Sequence, residues 1–319
     1  MRKIKIGQGL EVSVVGLGCM GLTHAFGPET DKEVGVKLLR DAVKMGYNFF
    51  DTAEIYGALN EEIVGEALAP YQDQVVIATK FGIKSMDWEK GMNLDSSEAG
   101  IRESLEGSLK RLRVDCIDLY YQHRQDPNTP VEEVAKTMQK LMDEGKIKAW
   151  GLSACDADTI RRAHAICPVT AVESEYSMAY RVLERDGVLE TCEELDIAVV
   201  PYSPLAKGFL TNTIKKGATF VEGDSRSMMK RFTDEAMDAN EALLQFVVKL
   251  AEEKGATPAQ ISLAWVIARN EKCIPIPGTR NVERLRENAK AAEIILSKEE
   301  YAKINDLLNK IDFMEVNYV

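Results

Sequence analysis

Four residues of this 319-residue chain have types and spacing suited to proton transfer at a carbonyl group. Asp51 lies near the end of the apolar run 47–53, Lys80 closes the run 74–80 and His123 closes the run 116–123. Tyr56 follows Asp51 by five residues, in what reads as the succeeding loop. If these runs are neighbouring strands, Asp51 and Lys80 at adjacent strand ends come into salt-bridge range and Tyr56 leans over the same mouth. A phenol is a poor acid at its ordinary pKa of about 10, and a neighbouring ammonium lowers that value. Lys80 is expected to supply the ammonium, Asp51 to hold it, and His123 to exchange a hydrogen bond or proton with an oxygen resting on Tyr56. Such a set suits protonation of an alkoxide at a carbonyl carbon. It contains no obvious nucleophile and no metal-ligand pattern, so it requires a hydride donor.

The elements that must position these residues follow from the hydrophobic pattern. Short apolar runs at 13–18, 47–53, 74–80, 116–123, 149–153, 170–176, 197–203 and 273–278 alternate with amphipathic stretches such as 30–46, 96–113, 130–146 and 257–270. Several of the latter begin with Thr, Ser or Asp and end near Gly, as capped helices do. About eight strand-then-helix units in one chain of this length describe a (β/α)8 TIM barrel better than a doubly wound sheet. The segment 4–12, with Gly7 and Gly9 at its turn, reads as a β-hairpin before the first barrel strand. Residues 206–233 read as a long loop with a short helix at most, and 297–310 as an extra C-terminal helix. No composition break divides residues 1–319, so a single domain is expected. In such a barrel the chemistry sits at the C-terminal strand ends. Here the runs end on or near Gly18, Asp51, Lys80, His123, Ser153, Glu173 or Glu175, Ser203 and Gly278. Any one of these is an ordinary cap or turn residue; together they describe a ring.

The stretch VVGLGCMG at 14–21 has the spacing G-x-G-x-x-G. That fingerprint binds a pyrophosphate only when its third glycine opens a helix. Gly27 and Pro28 leave no room for a helix before Thr30 or Asp31, so the glycines stand at a strand end and the start of a loop. The net charge of −11, with no basic block, argues against nucleic acid or an anionic membrane surface as a partner. The N-terminus has no apolar signal core and no run approaches a membrane span, which points to a cytoplasmic protein. Six scattered cysteines without C-x-x-C, and three histidines without H-x-H or H-E-x-x-H, suggest reduced thiols and no metal site.

At this point the chain resembles the aldo-keto reductase family. The resemblance runs through FFDTAEIYG with NEEIVGEAL, ATKFG, DLYYQHR, AWGLSA, ESEYS, PYSPLAKGFL and PIPGTRNVERLREN, in that order along nearly the whole sequence. Branches with HR after the fourth strand and PGT after the eighth are the most similar. The resemblance implies one barrel that binds NADP(H) across its C-terminal mouth and reduces aldehydes or ketones. It implies a catalytic set of Asp51, Tyr56, Lys80 and His123, with Tyr56 as general acid. Gly18, Cys19 and Met20 then match positions at the nicotinamide end, so a dinucleotide is nearby although the glycine spacing is accidental. Tyr202 matches the aromatic residue that stacks on nicotinamide, and Ser153 and Glu173 match the carboxamide contacts. Ala154 and Glu173 depart from the Asn and Gln usual there, and an ionised Glu only accepts hydrogen bonds. Ser203, Leu205, Lys207 and Gly208 match the pyrophosphate loop. Gly278, Thr279, Arg280 and Arg284 match the surroundings of the adenosine 2′-phosphate, and Glu287 and Asn288 the adenine contacts.

The expected partner is a small-molecule carbonyl compound, with Tyr56, Trp88 and His123 meeting it; the oligomeric state stays open. Phe26, Phe81, Trp88 and Tyr180 either overhang the mouth or pack beneath loops. Two other readings remain. One is a non-catalytic NADP(H)-binding regulatory subunit on the same barrel. The other is a phosphate-handling lyase or isomerase in which Lys80 forms a Schiff base.

Overall fold

The computed structural model describes residues 1–87 and 91–315, so Trp88 lies outside the described residues. β1 (Lys3–Ile6) and β2 (Leu10–Ser13) form the expected antiparallel hairpin, with Gly7 and Gly9 at positive φ in its turn. The strands β3 (Leu17–Gly18), β4 (Phe49–Asp51) and β5 (Val76–Phe81) follow. A second hairpin, β6 (Ile83–Asp87) and β7 (Gly91–Leu94), precedes β8 (Ile117–Gln122), β9 (Ile147–Ser153), β10 (Ala171–Glu175) and β11 (Ala198–Tyr202). Seven strands pair in parallel in the order β11-β10-β9-β8-β5-β4-β3.

The expected run at 273–278 is the eighth stave, although it is not a regular strand. Pro275 and Pro277 have no N–H to give, which thins the ladder. On one side the Ile274 and Ile276 N–H groups donate to Val199 O and Pro201 O; on the other, Gly16 N–H donates to Pro275 O. The segment thus bridges β11 and β3 and closes a (β/α)8 barrel. Closure needs the glycines at 18 and 278. A Cβ on Gly18 would lie 2.8 Å from Ile276 O, and one on Gly278 would lie 2.9 Å from Gly18 O.

The helices are α1 (Lys32–Lys44), α2 (Ala58–Leu68), α3 (Glu98–Leu112), α4 (Val131–Asp143), α5 (Ala157–Ile166), α6 (Val188–Glu194), α7 (Asp234–Ala239), α8 (Glu241–Lys254), α9 (Pro258–Ile267), α10 (Val282–Lys290) and α11 (Lys298–Leu308). Their starts carry the expected chemistry: Asp31 caps α1 and Ser97 caps α3, while Thr257 with Gln260 and Ser297 with Glu300 form capping boxes on α9 and α11. The last of these is the extra C-terminal helix, seated on the core through Ile304 and Leu308. Residues 206–233 are mostly irregular, with short 3₁₀ turns at 206–211, 225–228 and 230–232. None of the helices among the described residues is long and apolar enough to cross a membrane. The six cysteines are free thiols, all buried save the half-buried Cys116.

Side chains alternate across each strand, so one residue in two faces the barrel interior. Phe49, Val76, Ala78, Leu119, Tyr121, Ala149, Ala171, Ala198, Val200, Ile274 and Ile276 form one buried cluster, with Ile6 and Val12 of the hairpin packed into it. Continuing the same parity brings Asp51, Lys80, His123, Ser153, Glu173, Tyr202 and Gly278 to the interior positions at the C-terminal end. The packing of the barrel therefore dictates which residues surround its mouth.

Candidate active site

Lys80 is wholly buried, and its ammonium donates to Asp51 Oδ1 at 2.5 Å and to the Thr52 carbonyl at 2.9 Å. Glu173 Oε2 lies 3.3 Å from the same nitrogen. Burial works against the charge on Lys80, but attraction to Asp51 and Glu173 outweighs it and holds the ammonium above its ordinary range. Both carboxyls are pushed the other way from a normal acid: burial raises Asp51 against the opposing pull of Lys80. Burial, with repulsion from Asp51 next, brings Glu173 up to about 8.

Tyr56 occupies a short turn at Glu54–Tyr56, and its carbonyl accepts a hydrogen bond from Thr23 Oγ1 at 2.9 Å. Lys80 Nζ stands 5.5 Å from the centre of the Tyr56 ring. The expectation of a lowered Tyr56 pKa needs correction: burial raises it, and the Lys80 ammonium offsets only part of that rise. His123, whose backbone N–H donates to Phe81 O at 2.9 Å, meets the Tyr56 ring edge-on at 5.9 Å. Burial, followed by the positive charges of Lys80 and Arg124, holds its imidazole well below the usual range and hence neutral. A neutral ring carries one N–H donor for a substrate oxygen.

Sequence reasoning missed two neighbours. His24 stacks on Tyr56 with ring centres 5.7 Å apart. Arg124 donates to the His123 carbonyl at 2.6 Å and to Ser153 Oγ at 3.3 Å, linking two strand ends; its place directly after His123 was the available signal. Asn60 and Glu61, from the NEE run, are also fully buried. Asn60 accepts from Thr52 Oγ1 and donates to Cys19 O and Thr23 Oγ1, fastening the Tyr56 loop to the one after β3.

A cavity of about 780 Å³ is lined by Asp51, Tyr56 and His123, by Ser153, Glu173, Tyr202, Ser203, Leu205, Lys207 and Gly208, and by Gly278, Thr279, Arg280, Arg284, Glu287 and Asn288. Gly18 and Met20 line it as well. Cys19 does not: its thiol is buried and donates to Leu17 O, and its N–H donates to Asp51 O. Ser203, Ala206, Lys207 and Gly208 all have positive φ, which folds the backbone after β11 into a tight concave turn. Lys207 is pushed down to about 7, by burial first. Ala154 has φ of +50°, a conformation that suits Asn or Gly better than Ala.

Around residues 278–284 several donors are engaged within the protein. Arg280 donates to the carbonyls of Pro28, at 2.7 Å, and Phe26. Asn281 caps α10 by accepting from Glu283 N and Arg284 N, and Thr279 Oγ1 accepts from Asn281 N. The loop after β3 is tied to residues 206–233 as well. Phe26 bridges Asp224, Ser225 donates to Ala25 O at 2.9 Å, and the Arg226 guanidinium lies 5.2 Å from the Phe26 ring and 4.8 Å from that of Phe220. These two loops form a strap along the cavity. Of the aromatic residues considered for the mouth, Phe26 lines the cavity; Phe81 is core, packed on Tyr120; Tyr180 lines a smaller neighbouring pocket.

Comparison with known proteins agrees with this geometry. The model of the aldo/keto reductase family matches residues 14–309, and the chain belongs to that family. It is 42% identical to a probable aldo-keto reductase 1 of Glycine max over 95% of this chain and 88% of that one. In structure it is similar to a glycerol dehydrogenase of Gluconobacter oxydans (TM-score 0.88, 30% identity, 99% and 98% of the two chains). It is also similar to an aldo/keto reductase of Klebsiella pneumoniae solved with NADP and acetate (TM-score 0.72, 28% identity, 99% of each chain). The family makes this protein an oxidoreductase that acts on carbonyl groups of small molecules.

Proposed function

We propose that residues 1–319 form one catalytic domain that reduces an aldehyde or ketone with NADPH, Tyr56 being the general acid. The observation that carries this reading is the buried Asp51–Lys80 pair close to Tyr56, beside neutral His123, in a cavity that Arg280 and Arg284 also line. The cavity's donors fit NADP(H). Positive-φ residues turn the backbone sharply after β11 in a way that suits a phosphate, and the Arg280 and Arg284 guanidiniums that line the cavity suit the 2′-phosphate. Glu173 and its register partner Ser153 line the cavity side by side where the carboxamide is expected. The Klebsiella relatives solved with NADP and NADPH support the same cofactor.

The bound cofactor supplies the hydride. Within the chain, His123 donates to the substrate oxygen and orients it, and Tyr56 gives that oxygen its proton. Lys80 stabilises the resulting phenolate, and Asp51 keeps Lys80 charged and in place. Ile55, Ile83, Met86 and Met92 make part of the cavity wall apolar, which favours substrates with an apolar body. A Schiff-base role does not suit Lys80, whose nitrogen is fully buried and held protonated. The free thiols are compatible with a cytoplasmic enzyme. The test is NADPH oxidation over a panel of aldehydes, ketones and quinones by wild type and Tyr56→Phe. Turnover is expected to fall by about 10²–10⁴-fold with cofactor binding retained, and a loss below about tenfold would refute the assignment.

A further inference from the structure

Glu173 introduces a charge problem that the Asp51, Tyr56, Lys80 and His123 set does not resolve. It faces the barrel interior from β10 and is as buried as Asp51. Its Oε2 is 3.3 Å from Lys80 Nζ, while Asp51 holds that nitrogen at 2.5 Å. Asp51 Oδ2 is buried without a hydrogen-bond donor, Glu173 Oε2 has only the ionic contact with Lys80, and the two carboxyls flank the same nitrogen and repel each other. Two buried carboxylates around one ammonium leave one anion uncompensated. One added proton removes the excess charge and supplies the missing donor at once. Asp51 has the shorter contact with Lys80 and is the better anion, so the proton resides mainly on Glu173.

We propose that Glu173 and Asp51 share one proton in the working reductase, and that its loss at alkaline pH switches reduction off by making Tyr56 too weak an acid. Glu173 acts here through Tyr56: once ionised, it adds a second negative charge beside the phenol, which must itself become an anion when it gives up its proton.

The groups facing this carboxyl leave few competitors for the pH response. Cys19 after β3, Tyr56 after β4, Tyr121 of β8 and Tyr202 of β11 are all raised by burial, and Lys80 of β5 is held high. His123 after β8 is held low, chiefly by burial. Glu175, farther along β10, is paired with Arg231 at 3.2 Å. Glu173 itself titrates near 8. Lys207, near 7, lies in the proposed pyrophosphate turn, so its titration should alter cofactor KM. The relevant measure is therefore kcat at saturating cofactor.

The proposal rests on the functional reading above, but its first test does not. In the cofactor-free protein, the infrared carbonyl stretch of a protonated carboxyl is followed from pH about 6 to about 10. Wild type should lose this band with a midpoint near 8. At neutral pH the band should be absent from both Glu173→Gln and Asp51→Asn, because either change leaves one carboxylate for one ammonium. Glu54, another raised carboxyl, contributes equally to every form and cancels in the difference spectra. In the second test, the ratio of kcat at pH about 9.5 to kcat at pH about 7 should be at least roughly tenfold higher in Glu173→Gln than in wild type, one pKa unit being tenfold. A band that survives in either variant, or superimposable alkaline limbs, overturns the proposal. Absence of turnover on every carbonyl offered overturns the functional reading instead, and the infrared comparison then decides the shared proton by itself.

Discussion

Replacing Lys80 by Met keeps the length of the side chain and removes only the ammonium. The structure assigns that group three partners: Asp51 at 2.5 Å, the Thr52 carbonyl at 2.9 Å and Glu173 at 3.3 Å. Deleting one member of a buried ion pair costs about 3–5 kcal/mol, because the partner charge stays behind without compensation. The expected loss at pH about 8 is of that size, a large share of the about 5–15 kcal/mol that holds a typical domain together. Its pH dependence follows from the carboxyls. Without the ammonium, both have folded-state pKa values above their unfolded ones. The folded protein then binds more protons than the unfolded chain, so stability falls as pH rises from the ordinary carboxylate range to the raised values. In wild type Lys80 is itself raised, so its own contribution is fully present below its unfolded pKa of 10.5 and is lost only as pH rises through the higher folded value. Urea unfolding of both proteins at pH about 5 and about 8.5 measures the difference. The Lys80→Met deficit should be greater at the higher pH. A deficit below about 1 kcal/mol at pH about 8.5, or an equal one at both values, would show that Lys80 does not compensate two buried carboxyls.

Other outcomes follow from single contacts. Arg280→Ala should weaken NADPH by roughly tenfold or more while leaving NADH nearly unchanged, at the about 1.5–3 kcal/mol of charged hydrogen bonds; equal weakening of both in fluorescence titration would place the 2′-phosphate elsewhere. The same variant frees the carbonyls of Phe26 and Pro28, so amide exchange should quicken in residues 24–28 and 221–226. Gly18→Ala puts a Cβ 2.8 Å from a backbone oxygen and should cost about 1–3 kcal/mol, read as a lower Tm; an unchanged Tm would mean that the seam yields. Arg111→Ala leaves Glu61, fully buried and paired at 2.7 Å, with only Thr79, and should destabilise by about 3–5 kcal/mol; rescue by adding Glu61→Gln would confirm the cause.

The barrel and its mouth were readable because strand parity is a local property. Each apolar run marks its own interior row, and Asp51, Lys80, His123, Ser153 and Glu173 continue those rows. Features that depend on distant chain were not readable. Arg280 turns to carbonyls about 250 residues earlier in sequence, and nothing in PGTRN announces that. Asn60 and Glu61 look like the solvated face of a helix; their burial arises from Thr52, Thr79 and Arg111 on other elements. The β6–β7 hairpin was missed because its residues lack a regular alternation of apolar and polar positions, Met92 standing exposed on β7. Prolines concealed the pairing of 273–278 from the regular strand pattern, although its position was correctly located. Glu173 was visible as a departure from the usual Gln, but the charge conflict it creates required the register that brings β4, β5 and β10 around one nitrogen.

The seam between β3 and residues 273–278 also bears on how the protein is made. Ribosomes deliver the chain from its N-terminus, so β3 emerges with one edge that must wait for more than 250 further residues. Until they arrive, β3 and β11 each present unpaired backbone groups next to apolar side chains, the surface most prone to join another nascent chain. The two prolines shorten that hazard on the late-arriving side, since a segment lacking alternate N–H donors is a poor template for foreign strands. A glycine-lined seam completed by a proline-bearing stave thus protects the assembly line as well as closing the finished barrel.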